Sequence, residues 1–226
     1  MICAIHQPNY LPYAGFFDKA IKSDLFVLYD SAQFVKNGWQ NRNRICVKHG
    51  WQWLSLPVRH RFGQTIKETE IFDPEKSLKH NWNTIKTVYG KAPFFTLYSK
   101  MMKQEYCKKS LYLSEFNCDL IISIANILGI KTKFILSSDL GPIRSKGTEA
   151  LIEICKKVDS STYISGNSGK NYVDEKLFKE SNIKIIYQNY NYRDYKHFNN
   201  DVFQPMMSII DVLFNCGPKT MENIIY

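Results

Sequence analysis

The chain has 226 residues, of which 44% are hydrophobic and 23% are charged, and its formal net charge is +9 at pH 7. This composition is typical of a soluble globular protein, and the length is sufficient to bury a substantial core. No stretch approaches the roughly 20 apolar residues of a membrane span, and the start lacks the basic region and long apolar run of a signal peptide. We therefore expect a cytoplasmic protein without a membrane span.

Hydrophobic periodicity predicts a β-α-β unit at the start of the chain. Residues 1–5 form an apolar strand, residues 15–21 a helix and residues 25–29 a second strand. The short spacing between the strands indicates a parallel pair joined by a crossover helix.

Polar side chains are concentrated where the first strand ends, at His6, Gln7, Asn9 and Tyr10. Open α/β sheets bind ligands at the carboxyl ends of their strands, and the two prolines of this loop restrict its backbone. We expect the amides to contact a sugar or a nucleobase. An imidazole with the ordinary pKa of about 6.5 suits His6 as a general base, and the alternative is a histidine that only ties down the turn.

Asp30 and Gln33 come just after the second strand, so a parallel sheet would bring them to the same edge as His6. Asp30 then orients His6 or holds a metal through water, and the alternative is an Asx turn or helix cap.

The strongest anion site predicted by the sequence consists of Lys36, Asn41, Arg42 and Arg44. Arginine matches phosphate with two parallel hydrogen bonds, and alternation in an extended segment would place both arginines on one face. We expect diphosphate binding here, and the alternative is a solvated hairpin edge protected by charge.

The middle of the chain reads as a β-hairpin, residues 44–48 and 51–57, followed by a helical insertion over about residues 74–128. Its helices are predicted to begin at Pro74, to span 92–107 and to span 113–128. Leu78, Trp82, Ile85 and Tyr89 form a buried stripe on the first, whereas His80 points away from that stripe, either into solvent or into a cleft.

The last third returns to alternation, with predicted strands at 131–136, 162–165 and 183–188 and helices at 148–158, 174–180 and 205–215. Gly166 and Asn167 follow a strand and precede a helix, as phosphate loops do, but the spacing is not the Walker pattern. Asp211 lies among apolar neighbours, so we predict a buried partner, an arginine from residues 42–44 being one option. The pattern predicts one α/β domain over residues 1–226, Rossmann-like, with a mostly parallel sheet.

Cysteine usage argues against a metal site or a disulfide framework. The six cysteines are scattered, without a Cys-x-x-Cys pair: Cys3, Cys46, Cys107, Cys118, Cys155 and Cys216. The positive charge suits nucleic acid, an anionic membrane surface or phosphorylated small molecules. Because the cations cluster locally between Lys36 and Arg44, a small phosphorylated ligand is favoured and nucleic acid is not.

Four segments resemble the WbqC-like proteins of bacteria: HQPNYLPYAGFFDK from His6, YDSAQFVKNGWQNRNRI from Tyr29, WLSLPV from Trp53 and SIIDVLFNCG from Ser208. The resemblance spans nearly the whole chain. It implies a role in O-antigen or other surface-polysaccharide biosynthesis, in which an acyl or aminoacyl group such as glycyl is attached to an amino sugar. Similar proteins tend to have a histidine at the position of His80, which makes it a second catalytic candidate beside His6 and Asp30.

The first β-α-β unit also resembles the nucleotidyltransferase-like superfamily, in which a histidine or threonine ends the first strand and a second histidine opens the helix, both contacting ATP phosphates. His6 matches the first position, but Phe16 occupies the second. Phenylalanine cannot hydrogen-bond a phosphate, so the resemblance implies a similar fold and does not carry adenylate chemistry with it.

Two functional hypotheses follow. The first is a transferase or ligase that acylates the amine of a nucleotide-linked amino sugar, with ATP or a thioester on an acyl or aminoacyl carrier protein as the source of activation. The absence of the second histidine favours the preactivated thioester over ATP as the donor. The second hypothesis is a non-catalytic nucleotide-sugar-binding or scaffold protein of the assembly pathway.

Overall fold

The computed structural model describes residues 1–225. In chain order its strands are β1 (Ile2–His6), β2 (Leu25–Leu28), β3 (Arg42–Val47), β4 (Gly50–Ser55), β5 (Val58–Arg59), β6 (Glu70–Ile71), β7 (Lys133–Leu136), β8 (Thr162–Ser165) and β9 (Lys184–Tyr187). Its helices are α1 (Ala14–Ile21), α2 (Pro74–Tyr89), α3 (Phe95–Cys107), α4 (Leu113–Ile127), α5 (Gly147–Lys157), α6 (Glu175–Glu180), α7 (Ile209–Cys216) and α8 (Thr220–Ile224). Short 3₁₀ helices span Ser137–Leu140, Asn167–Asn171 and Gly217–Lys219.

The central sheet has five parallel strands in the order β7-β2-β1-β8-β9. The chain therefore leaves β1 in one direction to build β2 and β7, and returns to the other side to build β8 and β9. This reversal between β1 and β8 is a topological switch point, where open α/β sheets form ligand crevices. The predicted α/β, Rossmann-like fold is confirmed, and within residues 1–225 the sheet is entirely parallel.

Both faces of the sheet are covered, which explains why its central strands are continuously apolar. Along β1, Ala4 belongs to one apolar cluster that includes Phe16 and Phe26, whereas Cys3 and Ile5 belong to a second cluster that includes Phe178. Successive side chains of a strand point to opposite faces, so β1 contributes to both cores.

The predicted hairpin is confirmed as the antiparallel pair β3–β4, with Arg44 opposite Trp53. The predicted stripe on α2 is also confirmed, because Leu78, Trp82, Ile85 and Tyr89 are all buried. Within the described residues no helix has both the length and the apolar character that crossing a membrane requires.

Some predicted boundaries are wrong for local reasons. Helix α3 begins at Phe95 and not at residue 92, because the residue before Pro93 is pushed out of the helical region. Helix α7 begins at Ile209, since Met206 has a left-handed φ of 61° and the Ser208 hydroxyl caps the helix by accepting from Ile210 N. The strands β5 and β6, of two residues each, are too short for periodicity to reveal.

Asp211, at the start of α7, is the centre of a buried polar network. Its carboxylate accepts hydrogen bonds from Tyr89 Oη at 2.7 Å and Tyr195 Oη at 2.6 Å. His197 Nε2 accepts from Gln204 N, so its proton is on Nδ1, which lies 2.8 Å from Asp211 Oδ2. The expected buried partner exists, but it is two tyrosines and a histidine and not an arginine.

Replacing Asp211 by alanine should lower the free energy of unfolding by about 3–5 kcal/mol, because the hydroxyls of Tyr89 and Tyr195 would lose their acceptor and the buried His197 its neighbouring carboxylate. Urea unfolding followed by circular dichroism measures this change. Asp201→Ala is the control, since Asp201 is exposed and its loss should cost no more than about 0.5 kcal/mol. Equal losses in the two variants would contradict a stabilising role for the network.

Candidate functional site

A cavity of about 630 Å³ opens at the carboxyl ends of β1 and β8. Its volume lies within the range of small-molecule sites, roughly 300–1,000 Å³. The wall combines aromatic rings with amides and two basic side chains: Tyr13, Phe16, Trp39, Tyr190, Tyr192, Gln7, Asn9, Gln40, Asn43, Asn167, Gln188, His6 and Lys19. No acidic side chain lines the cavity within the described part of the chain.

Five of the residues singled out from the sequence line this cavity. His6, Gln7 and Asn9 come from the loop after β1, and Gly166 and Asn167 come from the loop after β8. The parallel pairing of β1 with β8 places both loops at one edge of the sheet. Two loops that are 160 residues apart in the sequence, each at the end of a strand, therefore line one cavity.

His6 is held as a neutral imidazole. Nδ1 lies 2.9 Å from the carbonyl oxygen of Gln7, so Nδ1 carries the proton and Nε2 is left as an acceptor. The ring packs edge-on against Phe16, with centroids 5.0 Å apart. Burial, aided by the charge of Lys19, lowers the pKa of His6 from 6.5 to about 3. The expectation of an ordinary imidazole pKa is wrong, and a base this weak does not hold a proton at neutral pH.

Hydrogen bonds among amides hold the loop after β1 in place. Gln7 Oε1 accepts from Gln40 Nε2 at 2.7 Å, while Asn117 Nδ2 donates to the carbonyls of Pro8 and Gln40. By contrast, the side chain of Asn9 makes no hydrogen bond within residues 1–225 and lines the cavity. Asn9 is therefore free to contact a ligand, whereas Gln7 also has a structural role.

Gly15, at the start of α1, permits the close approach of two aromatic walls. A Cβ at this position would collide with the rings of Tyr13 and Tyr190. The Gly15 carbonyl also accepts from Gln188 Nε2 at 2.7 Å, which ties α1 to the loop after β9.

Lys19 is a site residue that sequence reasoning missed. It lies in α1, is only 2% exposed and lines the cavity. Its Nζ donates to the carbonyl of Ile5 at 3.2 Å and lies 5.6 Å from the centroid of the Phe26 ring. Burial lowers the pKa of Lys19 from 10.5 to about 7. A signal was present, because Lys19 follows Phe16 by three residues and so shares its apolar helix face.

Arg42 and Arg44 lie on one face of the hairpin, stacked among tryptophans. Arg42 Cζ lies 4.2 Å from the centroid of the Trp53 ring, and Arg44 Cζ lies 4.2 Å from that of Trp51. Such cation–π contacts fix a guanidinium without neutralising it. Within residues 1–225 neither arginine has a carboxylate within 4.0 Å.

This arginine face adjoins the cavity. Arg44 Cζ lies 5.6 Å from the centroid of Trp39, which lines the cavity. Burial raises the pKa of the cavity residue Tyr192, and the nearby charge of Arg44 opposes that rise. Arg44 Nε is buried and has no hydrogen-bond partner among the described residues. A cation without a carboxylate partner within 4.0 Å among residues 1–225 therefore lies next to a residue of the cavity wall.

The other predicted site residues lie outside the cavity lining. Tyr10 is fully buried and hydrogen-bonds to Tyr106 and Asn81. Asp30 accepts from the Ser137 hydroxyl at 2.8 Å and from Ser138 N at 2.9 Å, so it holds the first turn of the 3₁₀ helix after β7.

Asn41 donates to the carbonyl of Leu56 at 2.8 Å and so supports the hairpin. Gln33, Lys36 and His80 are exposed, so for His80 the structure selects solvent over a cleft. The three predicted catalytic side chains, His6, Asp30 and His80, are not brought together.

A buried group of metal-ligand types, Cys46, His197 and Asp211, has ligand atoms within 4.8 Å of one another. Its chemistry does not suit a metal, because the Asp211 oxygens already accept from tyrosines and burial raises the pKa of the Cys46 thiol to about 12. Metal-binding cysteine must be a thiolate. This group belongs to the stabilising network and not to the cavity.

Comparison with known proteins gives one family and one relative. A family model described as the WbqC-like protein family matches residues 7–223. An uncharacterised protein of Mycobacterium tuberculosis (strain ATCC 25618 / H37Rv), Rv1507c, is 36% identical over 227 residues, covering 99% of this chain and 97% of that protein. No solved structure matches the chain at a significant level.

The buried amine of Lys19 should make stability depend on pH. Between pH 7 and 10.5 the unfolded chain binds more protons than the folded chain, so folding is favoured as pH rises. Lys19→Met removes the buried amine and with it this pH dependence, so the variant should be more stable than wild type at pH 7. The difference in free energy of unfolding between the two proteins should shrink by up to about 1.4 kcal/mol per pH unit toward pH 9.

Urea unfolding of both proteins at pH 7, 8 and 9 measures the difference. Lys22→Met is the matched control, because the Lys22 side chain is 37% exposed and forms an ion pair with Asp18. A difference between wild type and Lys19→Met that stays constant with pH would contradict a lowered Lys19 pKa.

Proposed function

The chain belongs to the WbqC-like protein family, and we propose that it acts in the biosynthesis of a bacterial surface polysaccharide such as O-antigen. Its reaction in this proposal is the transfer of an acyl or aminoacyl group, such as glycyl, to the amine of a nucleotide-linked amino sugar. The observation that carries the proposal is the cavity at the switch point, with Arg44 beside its wall residue Trp39.

The cavity suits a sugar. Its aromatic walls offer flat apolar faces for a pyranose ring, and amides such as Asn9 and Asn167 offer donors and acceptors for hydroxyl groups. Ligand sites of this kind combine mostly apolar walls with a few polar groups that fix orientation.

The arginine face suits the diphosphate. A nucleotide-linked sugar carries two negative charges next to the sugar, so its phosphates would lie just outside a cavity that holds the sugar. Arg44 lies beside the cavity residue Trp39 and has no carboxylate partner within 4.0 Å among the described residues. Guanidinium groups bind phosphate with two charge-assisted hydrogen bonds.

The cavity wall supports a preactivated donor over ATP. Phe16 lines the cavity at the position where nucleotidyltransferase-like proteins have a phosphate-binding histidine. An apolar ring there offers nothing to a triphosphate. We therefore propose a thioester on a carrier protein as the acyl donor.

A second candidate function is a binding or scaffold protein that holds the nucleotide sugar without turnover. The observation in its favour is that His6, Asp30 and His80 do not converge, and that His6 has a pKa of about 3. On this alternative the arginines matter for binding and no cavity residue performs proton transfer.

A thermal-shift titration tests the ligand class, because a ligand that binds only the folded chain raises its apparent stability. UDP- and dTDP-linked amino sugars should stabilise wild type, and Arg44→Ala should weaken binding by roughly tenfold to a hundredfold, the worth of one charged hydrogen bond. Lys48→Ala is the control, because it removes one positive charge from an exposed position of the same hairpin.

Equal binding of the sugar nucleotide by wild type and Arg44→Ala would contradict the proposal that the arginine face binds the diphosphate. Stabilisation by none of the sugar nucleotides would contradict both candidate functions.

A further inference from the structure

We propose that Lys19 is the general base of the acyl transfer, taking the proton that the sugar amine loses as it attacks the thioester. This inference rests on the proposed function and adds the catalytic group that His6, Asp30 and His80 do not supply.

The position of Lys19 is the first support. Its side chain comes from α1 into the wall of the cavity, beside His6 and below the end of β1. The amine donates to one acceptor, the carbonyl of Ile5 at 3.2 Å. A sugar held between the aromatic walls would have this amine within the same enclosed space.

The surroundings of the amine are the second support. On α1, Asp18 is engaged by Lys22 at 2.9 Å and by Gln188 Nε2 at 2.6 Å. On the sheet, the neighbouring groups are Cys3 and His6, and the Phe26 ring lies below. Within residues 1–225 no carboxylate lies within 4.0 Å of Nζ. An unpaired ammonium that is removed from water favours its neutral form.

The pKa values of the two basic groups of the cavity, Lys19 and His6, indicate which of them can act as the general base. A general base works best when its pKa is near the working pH. The pKa of Lys19 is lowered to about 7 by burial, whereas that of His6 is about 3. Lys19 can therefore take up and release a proton at neutral pH. His6 is left with Nε2 as an acceptor that can orient a donor of the sugar.

The step balances with a thioester donor. The sugar nitrogen attacks the thioester carbon, and the C–N bond forms in a tetrahedral intermediate whose nitrogen passes one proton to Lys19 Nζ. The C–S bond then breaks, and the leaving thiolate takes that proton from the Lys19 ammonium. The products are the amide and a free thiol, and Lys19 returns to its neutral form.

A lysine that only ties α1 to the carbonyl of Ile5 would also be buried, so the test needs a readout that this structural role would not change. Lys19→Arg keeps a cation and a donor but cannot act as a base near neutral pH. Lys22→Arg is the matched control on the same helix. Trace acetylation by acetic anhydride, read by peptide mass spectrometry from pH 5 to 11, reports when each amine becomes neutral.

Turnover is measured with a dTDP-linked amino sugar and the glycyl thioester of N-acetylcysteamine, with the amide detected by mass spectrometry. Lys19→Arg should retain the thermal shift with the sugar nucleotide and lose at least about a hundredfold in rate, the usual contribution of a general base. The wild-type rate should rise tenfold per pH unit and level off near pH 7, and Lys22→Arg should follow the wild-type profile. The trace acetylation of Lys19 should have its midpoint near pH 7, the pKa that burial gives this amine, and should decrease when the sugar nucleotide is bound.

A rate for Lys19→Arg within threefold of wild type, or a Lys19 acetylation midpoint near 10, would overturn the assignment. If wild type binds the sugar nucleotide but forms no amide, the proposed transfer fails. The acetylation experiment then still tests whether Lys19 has a lowered pKa and lies in the ligand site. A midpoint near pH 7 with protection by the sugar nucleotide supports both, and a midpoint near pH 10 contradicts the lowered pKa.

Discussion

The parallel pairing of β1 with β2 on one side and β8 on the other is the constraint on which the site depends. Parallel strands point their carboxyl ends to the same edge, so the loops after β1 and β8 must meet there. Since the sheet is covered on both faces, the crevice at this edge is where polar side chains can converge without entering a core. The cavity, the amides of its loops and His6 all follow from that pairing.

The same constraint explains the unusual chemistry of the cavity. Helix α1 must cross back over the sheet within the short connection from β1 to β2, and this brings Lys19 beneath the end of β1. Burial there lowers the pKa values of both Lys19 and His6, since each would have to hold a charge away from water. Proteins accept such costs mainly at functional sites, where a shifted pKa matches a group to its task.

Sequence reasoning predicted the parts that depend on local pattern. Strand ends located His6, Asn9 and Asn167, and alternation placed Arg42 and Arg44 on one face of the hairpin. It did not predict the tryptophans beneath those arginines, because cross-strand neighbours depend on the register of β3 and β4.

Contacts between residues that are distant in the sequence could not be predicted from the sequence either. Tyr195 and His197 meet Asp211 only through the packing of the segment before α7. Lys19 was missed because lysine on a helix is normally exposed, and its burial depends on the cover that the tertiary fold supplies.

The most direct test of the account is a crystal structure of the protein with a dTDP-linked amino sugar. The account predicts the sugar in the switch-point cavity, with its amine about 3 Å from Lys19 Nζ, a hydrogen-bond distance, and the diphosphate against Arg44. A sugar nucleotide bound elsewhere, or bound with its amine directed away from Lys19, would contradict the central claim that this cavity presents an amine for acylation.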